Sequence, residues 1–336
     1  MSYRNMSRSA LILAMAAAGL FATTGGALAA TTSSLPHGTI RMVPDASGPA
    51  LGDVVINPAS TVAYFTVPTE NEVLPLDLAT DEFGTAIPVG SDPQGIDITP
   101  NGKTLYVADS GGQTISKVTI ATSKVTTITT PPGILDDTPY SIAVMNNGNA
   151  LYSTTFAGSG FGANVYDLNL TTDTSTVVSN MGINGEVTEV TQLSRSGNHA
   201  VVGAALGDDS GGPFDVYTAA TGDVVSGSLN AFISSAALNQ KGTKMVVDGS
   251  YVLDPATGSL LGTISDDCIS AVLASSGSTG YCLETNSIVE FNVSTFLTGT
   301  SIALPSGVTG TGEMAISPNG DTLVAVTSSG AAVVSI

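Results

Sequence analysis

A hairpin-forming segment recurs along this chain and constrains the fold more than any other feature. The clearest copy, "PQGIDITPNGKTLYVADSGGQTISKVTIATSKV", runs from Pro93 to Val125. An apolar strand around Ile96–Ile98 precedes an Asn-Gly turn, which favours a tight hairpin, and a second strand follows at Leu105–Val107. A third strand around Ile115–Val118 and a fourth after the turn at Thr122 complete the unit. The segment therefore predicts four short consecutive antiparallel strands.

Six weaker copies of this segment lie before and after it. Their spacing of 35 to 49 residues follows from the expected first hairpin turns, which fall at Ser60, Gly102, Gly148, Gly197, Gly242, Gly277 and Gly320. A period of this length with four strands per unit is typical of a β-propeller. An open stack of sheets or a sandwich is the alternative, but either would leave many sheet edges exposed. We therefore predict an all-β, seven-bladed β-propeller of four-stranded antiparallel blades.

The two ends of the chain indicate how the ring closes. Only sixteen residues follow Gly320, which is enough for the second and third strands of the last blade but not for a fourth. The segment "HGTIRMV" at His37–Val43 reads as a strand without a blade of its own. We predict that it supplies the missing outer strand, so that the propeller spans residues 37–336.

The best copy resembles the YVTN repeat, in which P-x-G and a Pro-Asn-Gly turn precede Tyr-Val-Thr-Asn. Here "TLYVADS" stands in place of Tyr-Val-Thr-Asn, and "SPNGDTLVAVTSSG" in the last blade is a weaker match. The chain thus resembles the YncE-like, WD40-like group of secreted bacterial propellers. Because the motif fixes turns and strand starts, the resemblance implies a fold and carries over no catalytic residue.

The first 29 residues have the pattern of a secretory signal peptide. Arg4 and Arg8 precede an apolar run from Ala10 to Ala22, and Ala27-Leu28-Ala29 forms a small-residue cleavage site. A membrane anchor is the alternative, although the run is shorter than the ~20 residues of a spanning helix. We expect cleavage near Ala29, a short linker at residues 30–36, and a mature protein in the periplasm or the medium with no membrane insertion.

The charge and the chemistry-bearing residues exclude several classes of function. The sequence has 9 Lys and Arg against 28 Asp and Glu, so its surface should repel nucleic acid, and we expect a monomer. Its two histidines, His37 and His199, have no partner at ligand spacing, and His199 is expected to be exposed beside its turn. No G-x-S-x-G elbow or phosphate loop occurs. A Ser-His-Asp triad and a multi-His metal centre are therefore not predicted.

The only cysteines, Cys268 and Cys282, are expected to form a disulfide in an exported chain. The hairpin register places Cys268 several residues from the point opposite Cys282. A bridge then requires the segment before Ile269 to fold back over its neighbour. Two free buried thiols are the alternative.

Acidic residues concentrate in the loops before the first and after the second strand of each blade, which share one face of a propeller. The candidate binding residues of this acidic loop face are Asp92, Asp109, Asp136, Asp137, Asp208, Asp209, Asp266 and Asp267, with Glu70, Glu186 and Glu284 beside them. Lys103, Arg195, Lys241, Lys244 and Lys124 fall in turns on the opposite face. The acidic loop face could bind a cation or a basic partner, or it could only be solvated, since Asp favours turns.

A second candidate site lies at the channel mouth. Aligned with Gly95, the innermost strands present Asp53, Ser141, Val190, Ser235, Ser270 and Glu313. Since blades seven and one are neighbours, Asp53 and Glu313 should lie close together, with Asp97 and Glu189 at nearby levels. These oxygens could hold Ca²⁺, no other cofactor being predicted, or they could simply line a water-filled channel.

Two functional classes follow. The favoured one is a secreted, non-catalytic propeller that presents its acidic loop face to a protein, an extracellular polymer or a cation. The alternative is an enzyme of lactonase or lyase type that uses channel-mouth carboxylates and a divalent metal. The absence of a His cluster, an Arg clamp and a nucleophile motif favours the first.

Overall fold

The computed structural model describes residues 40–44, 50–131, 138–155, 164–182, 191–206, 211–231, 233, 235–264 and 268–336. The predicted signal peptide, the linker and His37 lie outside these residues. Within them, the strands form seven antiparallel sheets, each meandering from an innermost to an outermost strand. The seven innermost strands contact one another in chain order, and the last contacts the first. The predicted seven-bladed β-propeller is confirmed.

The first four blades run from Val54 to Ser228. Blade one contains β2 (Val54–Ile56), β3 (Val62–Val67), β4 (Glu72–Asp77) and a divided outer strand, β5 (Glu82–Phe83) and β6 (Ile87–Pro88). Blade two contains β7 (Pro93–Ile98), β8 (Thr104–Asp109), β9 (Thr114–Thr119), a 3₁₀ turn (Ile120–Thr122) and β10 (Lys124–Thr129). Blade three contains β11 (Pro139–Val144), β12 (Asn149–Thr154), β13 (Asn164–Asn169) and β14 (Thr174–Gly182). Blade four contains β15 (Thr191–Arg195), β16 (Val201–Leu206), β17 (Pro213–Thr218) and β18 (Val224–Ser228).

The remaining three blades complete the ring. Blade five contains β19 (Ala236–Leu238), β20 (Met245–Val247), β21 (Tyr251–Asp254) and β22 (Ser259–Thr263). Blade six contains β23 (Ser270–Leu273), β24 (Thr279–Leu283), β25 (Ser287–Asn292) and β26 (Thr298–Ala303). Blade seven contains β27 (Gly310–Ile316), β28 (Thr322–Thr327), β29 (Gly330–Ser335) and, from the other end of the chain, β1 (Ile40–Val43).

The closing strand takes the predicted position. β1 pairs antiparallel with β29, with Ile40 opposite Val334 and Val43 opposite Ala331. This pairing covers the backbone groups at the edge of β29, which would otherwise be open to another chain. Two distant parts of the sequence thus share one blade.

The core lies between the blades. Each strand of a blade alternates its side chains between the two neighbouring blades, so apolar residues are buried on both sides of the sheet. The interface of blades seven and one, for example, buries Phe65 and Leu76 against Val324 and Val333. Burying such a side chain stabilises the fold by about 1.5–3 kcal/mol. No helix in the described parts of the chain is long and apolar enough to cross a membrane.

The turn after each innermost strand follows one pattern. In blade two the Gly102 N–H donates to Thr99 O at 2.8 Å, and Gly102 has φ +68°. Glycine favours this left-handed conformation because it has no Cβ. In blade four the equivalent residue is His199, whose N–H donates to Ser196 O and whose φ is +58°. The prediction of this turn at Gly197 was therefore wrong by two residues.

The same shift moves the channel residue of blade four. The position equivalent to Gly95 is Gln192, because Leu193 pairs with Ala204 as Ile96 pairs with Val107. Val190, which the sequence alignment placed there, lies outside the described residues. The side chain that blade four presents at this level is therefore a carboxamide.

Candidate ligand cavity in the central channel

A cavity of about 420 Å³ occupies the central channel. It extends along the innermost strands from Asp53 and Glu313 to the turns that follow these strands, where it reaches Pro58, Pro100 and Pro318. We call these turns the turn rim, and the opposite limit at Asp53 and Glu313 the inner end. The three prolines are exposed, so the cavity meets solvent at the turn rim. Its walls present polar and apolar surface in similar amounts, and the apolar residues that line it include Val55, Leu193, Leu238, Val272 and Ile316.

Asp53 and Glu313 meet at the inner end. Burial raises the pKa of the Asp53 carboxyl to about 8, and the neighbouring Glu313 carboxylate adds to this shift. Asp53 Oδ1 accepts the Val54 N–H at 2.7 Å, and Oδ2 accepts the Ile96 N–H of blade two at 3.0 Å. The second hydrogen bond joins the innermost strands of blades one and two. Both residues lie inside the propeller, at the end of the cavity remote from the turn rim.

Glu313 links three blades. Its Oε1 accepts a hydrogen bond from Gln192 Nε2 at 3.2 Å, and its Oε2 accepts one from Ser270 Oγ at 3.0 Å. Blades four and seven lie on opposite sides of the ring, so the contact with Gln192 crosses the channel and narrows it at the inner end. Burial also raises the pKa of the Glu313 carboxyl. The Gln192 contact was missed because the blade-four alignment was displaced by two residues.

Asp97 and Arg195 form a buried ion pair on the cavity wall. Arg195 Nε donates to Asp97 Oδ1 at 2.8 Å and to Oδ2 at 2.7 Å. The carboxylate also accepts the N–H groups of Ile98 and Val144, each at 2.7 Å. The pair joins blade two to blade four, which are separated in the ring by blade three. Arg195 was predicted to lie in a turn on the face opposite the acidic loops, and this is wrong, because the residue ends β15 and lines the cavity.

His199 adjoins this pair and is also inside. Only 5% of the residue is exposed, so the prediction of an exposed His199 was wrong. Its Nδ1 lies 2.7 Å from Val144 O, and because a carbonyl oxygen only accepts, Nδ1 carries the proton. Burial, together with the charge of Arg195, lowers the pKa of His199. The side chain is therefore neutral at physiological pH, with Nε2 as an acceptor.

Most of the predicted acidic loop face lies outside the described residues. This applies to Asp136, Asp137, Asp208, Asp209, Asp266 and Asp267, and to Glu189 of the channel set. Asp92 precedes β7 with φ +50°, and its Oδ1 accepts a hydrogen bond from Gln94 Nε2 at 2.8 Å. Asp109, at the same end of the blade, is fully buried and therefore presents no carboxylate to solvent.

The Asp109 carboxylate belongs to the interior of blade two. Its Oδ2 accepts hydrogen bonds from Thr114 Oγ1 and Ser116 Oγ, both at 2.9 Å. Burial raises the pKa of Asp109 to about 6, and these hydrogen bonds limit the shift. Asp109, which aligns with the last residue of the YVTN pattern, thus links the second strand of blade two to the third strand by hydrogen bonds.

Cys268 and Cys282 are joined by a disulfide, with their Cα atoms 5.3 Å apart. In the ladder of blade six, Cys282 pairs with Ala271, so Cys268 precedes the strand that faces Cys282. Cys268 also packs against blade five, where its Sγ lies 3.6 Å from Gly249 O. Cys268 itself therefore lies toward the neighbouring blade while it bridges to Cys282. Among the described residues, no group of three or more His, Cys, Asp or Glu side chains is arranged to hold a metal ion.

Comparison with known proteins supports the fold only. No protein-family model matches the sequence, and no curated protein matches it. Among solved structures, the chain is similar to Kuenenia stuttgartiensis hydrazine synthase, with a TM-score of 0.69. The two share 13% sequence identity over 86% of this chain and 96% of that chain. At this identity the likeness extends to the propeller architecture and to nothing more specific.

Proposed function

We propose that this chain is an exported, non-catalytic binding propeller of the YVTN-repeat type, and that it holds a small ligand in its central cavity. One observation carries the proposal: a cavity of about 420 Å³ combines apolar surface with polar groups at fixed positions. Ligand sites commonly have this size and combination of surfaces.

The polar groups are held in place before any ligand enters. Asp97 is fixed by two backbone N–H groups and in turn fixes Arg195. Glu313 is fixed by Gln192 and Ser270. A ligand that enters such a site has little side-chain ordering to impose, which favours affinity.

The acidic loop face remains a second proposed surface, for a protein or polymer partner or for Ca²⁺. Its support is the sequence, because most of its carboxylates lie outside the described residues. Exposed Glu70 is one acidic side chain that the structure does place at that end of a blade. The cavity is the better supported site because its lining, hydrogen bonds and access are all described.

The test is ligand-observed NMR of the mature protein against a panel of small carboxylates, amides, alcohols and amines. We expect saturation transfer to at least one probe, and its loss in Ala315→Leu, which adds bulk on the partly exposed cavity wall. Ala256→Leu, in an exposed turn, is the matched control and should keep the signal. Signals that persist in Ala315→Leu would place binding elsewhere. Lactone hydrolysis that depends on Ca²⁺ would instead favour the catalytic alternative.

A further inference from the structure

Some hydrogen-bonding groups on the cavity wall already have a hydrogen-bond partner within the chain, and others do not. Both Asp97 oxygens accept from Arg195 Nε and from backbone N–H groups. Both Asp53 oxygens accept backbone N–H groups, and both Glu313 oxygens accept side-chain donors. By contrast, neither Nη1 nor Nη2 of Arg195 makes a hydrogen bond to any of the described residues. Neutral donors such as Ser194 and Gln240 also line the cavity, but Arg195 is the only Lys or Arg among the described residues of its lining, so the charged donor without a partner is this guanidinium.

The guanidinium is held so that this donor edge stays available. Its Nε side is bound to Asp97, and the Arg195 side chain keeps 18% of its surface exposed although it lines an internal cavity. A guanidinium bound at Nε still presents the paired N–H groups of Nη1 and Nη2. This planar fork matches the two oxygens of a carboxylate.

The charges around the cavity also favour an anion over a cation. Asp97 and Arg195 neutralise each other. The raised pKa of Asp53, about 8, keeps its carboxyl group largely protonated near neutral pH, burial also raises the pKa of Glu313, and His199 is neutral. The turn rim carries Lys103, Lys241 and Lys244 against a single acid, Asp321. Acids on the same face, such as Asp77, Asp223 and Asp254, lie farther from the opening, at the turns between third and fourth strands, so an approaching anion meets the lysines nearest the cavity.

From this geometry we infer that the cavity binds a small organic carboxylate, with its head group on Arg195 and its apolar part against the cavity walls. The inference rests on the proposed function, since it names the ligand class of the same site. The partly exposed wall residues Leu193, Ala236 and Ile316 provide apolar surface for the body of the ligand. A bare inorganic anion would leave this surface without contact.

Two matched series of probes test the head group: hexanoate, hexanamide and hexylammonium, and benzoate, benzamide and benzylammonium. Dissociation constants are measured by calorimetry or NMR titration on the mature protein at pH 7. We expect at least one carboxylate to bind at least tenfold tighter than its amide, and its ammonium counterpart to bind most weakly. Equal affinity of carboxylate and amide, or preference for the ammonium, would overturn the inference.

The double variant Arg195→Gln, Asp97→Asn locates the head group. It removes both charges of the pair together, so no uncompensated buried charge remains to unfold the protein. The carboxylate advantage should vanish while the affinity for the amide stays within about threefold. A carboxylate advantage that survives this variant refutes the role of Arg195.

The two proposals fail in different ways. If an amide probe binds and is displaced in Ala315→Leu, but no carboxylate binds better, the cavity is a ligand site and the carboxylate inference is wrong. If no probe of either series and none of the wider panel binds, both proposals fail. A carboxylate that binds equally to the parent and to Ala315→Leu also contradicts both.

Discussion

Asp53 should make this propeller less stable as the pH rises, and Asp53→Asn should remove that dependence. The pKa of Asp53 is raised from its ordinary value of 3.8 to about 8 in the folded protein. Between these values the unfolded chain releases the proton while the folded protein retains it. The free energy of unfolding therefore falls as the pH rises through this window, and the fall is complete above pH 8.

The size of the effect follows from the same values. Each pH unit inside the window costs about 1.4 kcal/mol, so the interval from pH 5 to pH 8 should cost about 4 kcal/mol of unfolding free energy through Asp53. Asn keeps the shape and carries no charge, but its amide nitrogen cannot accept one of the two backbone N–H groups. That mismatch should destabilise Asp53→Asn by about 1–3 kcal/mol at every pH. By these values the two proteins should have similar stability at pH 5, and the variant should be the more stable one at pH 8, by about 2–4 kcal/mol.

The assay is equilibrium urea unfolding of the parent and Asp53→Asn at pH 5, 6.5 and 8, compared at each pH. Comparison with the parent cancels the pH dependence of the many other carboxylates. Asp223→Asn, in an exposed turn, is the control and should run parallel to the parent. Glu313 and Asp97 act on Asp53 electrostatically, so Glu313→Gln should lower the pKa of Asp53 and weaken the effect. A constant free-energy gap between the parent and Asp53→Asn across the three pH values would show that Asp53 does not retain its proton in the folded protein over this range.

Four further predictions concern stability and metal binding. Gly95→Ala should lower the melting temperature by several degrees, because the new Cβ would lie 2.7 Å from Ser141 Cα, a cost of about 1–3 kcal/mol; an unchanged melt would contradict this packing. Alkylation without reductant under denaturing conditions should add no mass at Cys268 or Cys282, whereas two added labels would show free thiols. Deleting residues 37–43 should expose the edge of the last blade and cause aggregation and loss of cooperative unfolding, and a parent-like melt would show that β1 is dispensable. If the acidic loops bind Ca²⁺, millimolar Ca²⁺ should raise the melting temperature more than Na⁺ of equal ionic strength, and equal shifts would exclude such a site.

The fold could be predicted because its determinants are local and repeated. Alternating apolar residues mark the strands, and glycine marks the left-handed turn positions at Gly102, Gly242 and Gly320. Blade four departs from this rule because His199 occupies the position that favours glycine. A different local signal was present: in Ser196-Gly197-Asn198 the Ser hydroxyl donates to the Asn carboxamide, as in Thr99-Pro100-Asn101. Alignment on that Ser/Thr-x-Asn pattern would have given the correct register.

The site was less predictable because its contacts join distant parts of the sequence. The proximity of Asp53 and Glu313 followed from the ring order alone, since blades seven and one are neighbours. The pairing of Asp97 with Arg195 joins residues 98 positions apart on blades that do not touch as neighbours. No repeat pattern encodes a contact of that kind, because each blade contributes a different side chain at its level. The register error in blade four removed the remaining signal, because it assigned Arg195 to the turn after the first strand instead of to the strand itself.

The two acids at the inner end are not required for joining the blades. At the position of Asp53 in blade one, blades three and six carry Ser141 and Ser270, and each hydroxyl accepts a backbone N–H of the next blade at 3.1 Å. A serine thus makes the same inter-blade hydrogen bond as Asp53 without a buried carboxyl group.

Burial of the acid costs stability at neutral pH, and a second acid, Glu313, increases that cost. Stability of the ring alone would favour serine at both positions. The acids are therefore better explained by the cavity that they terminate. Their replacement should affect ligand binding in that cavity more than assembly of the ring.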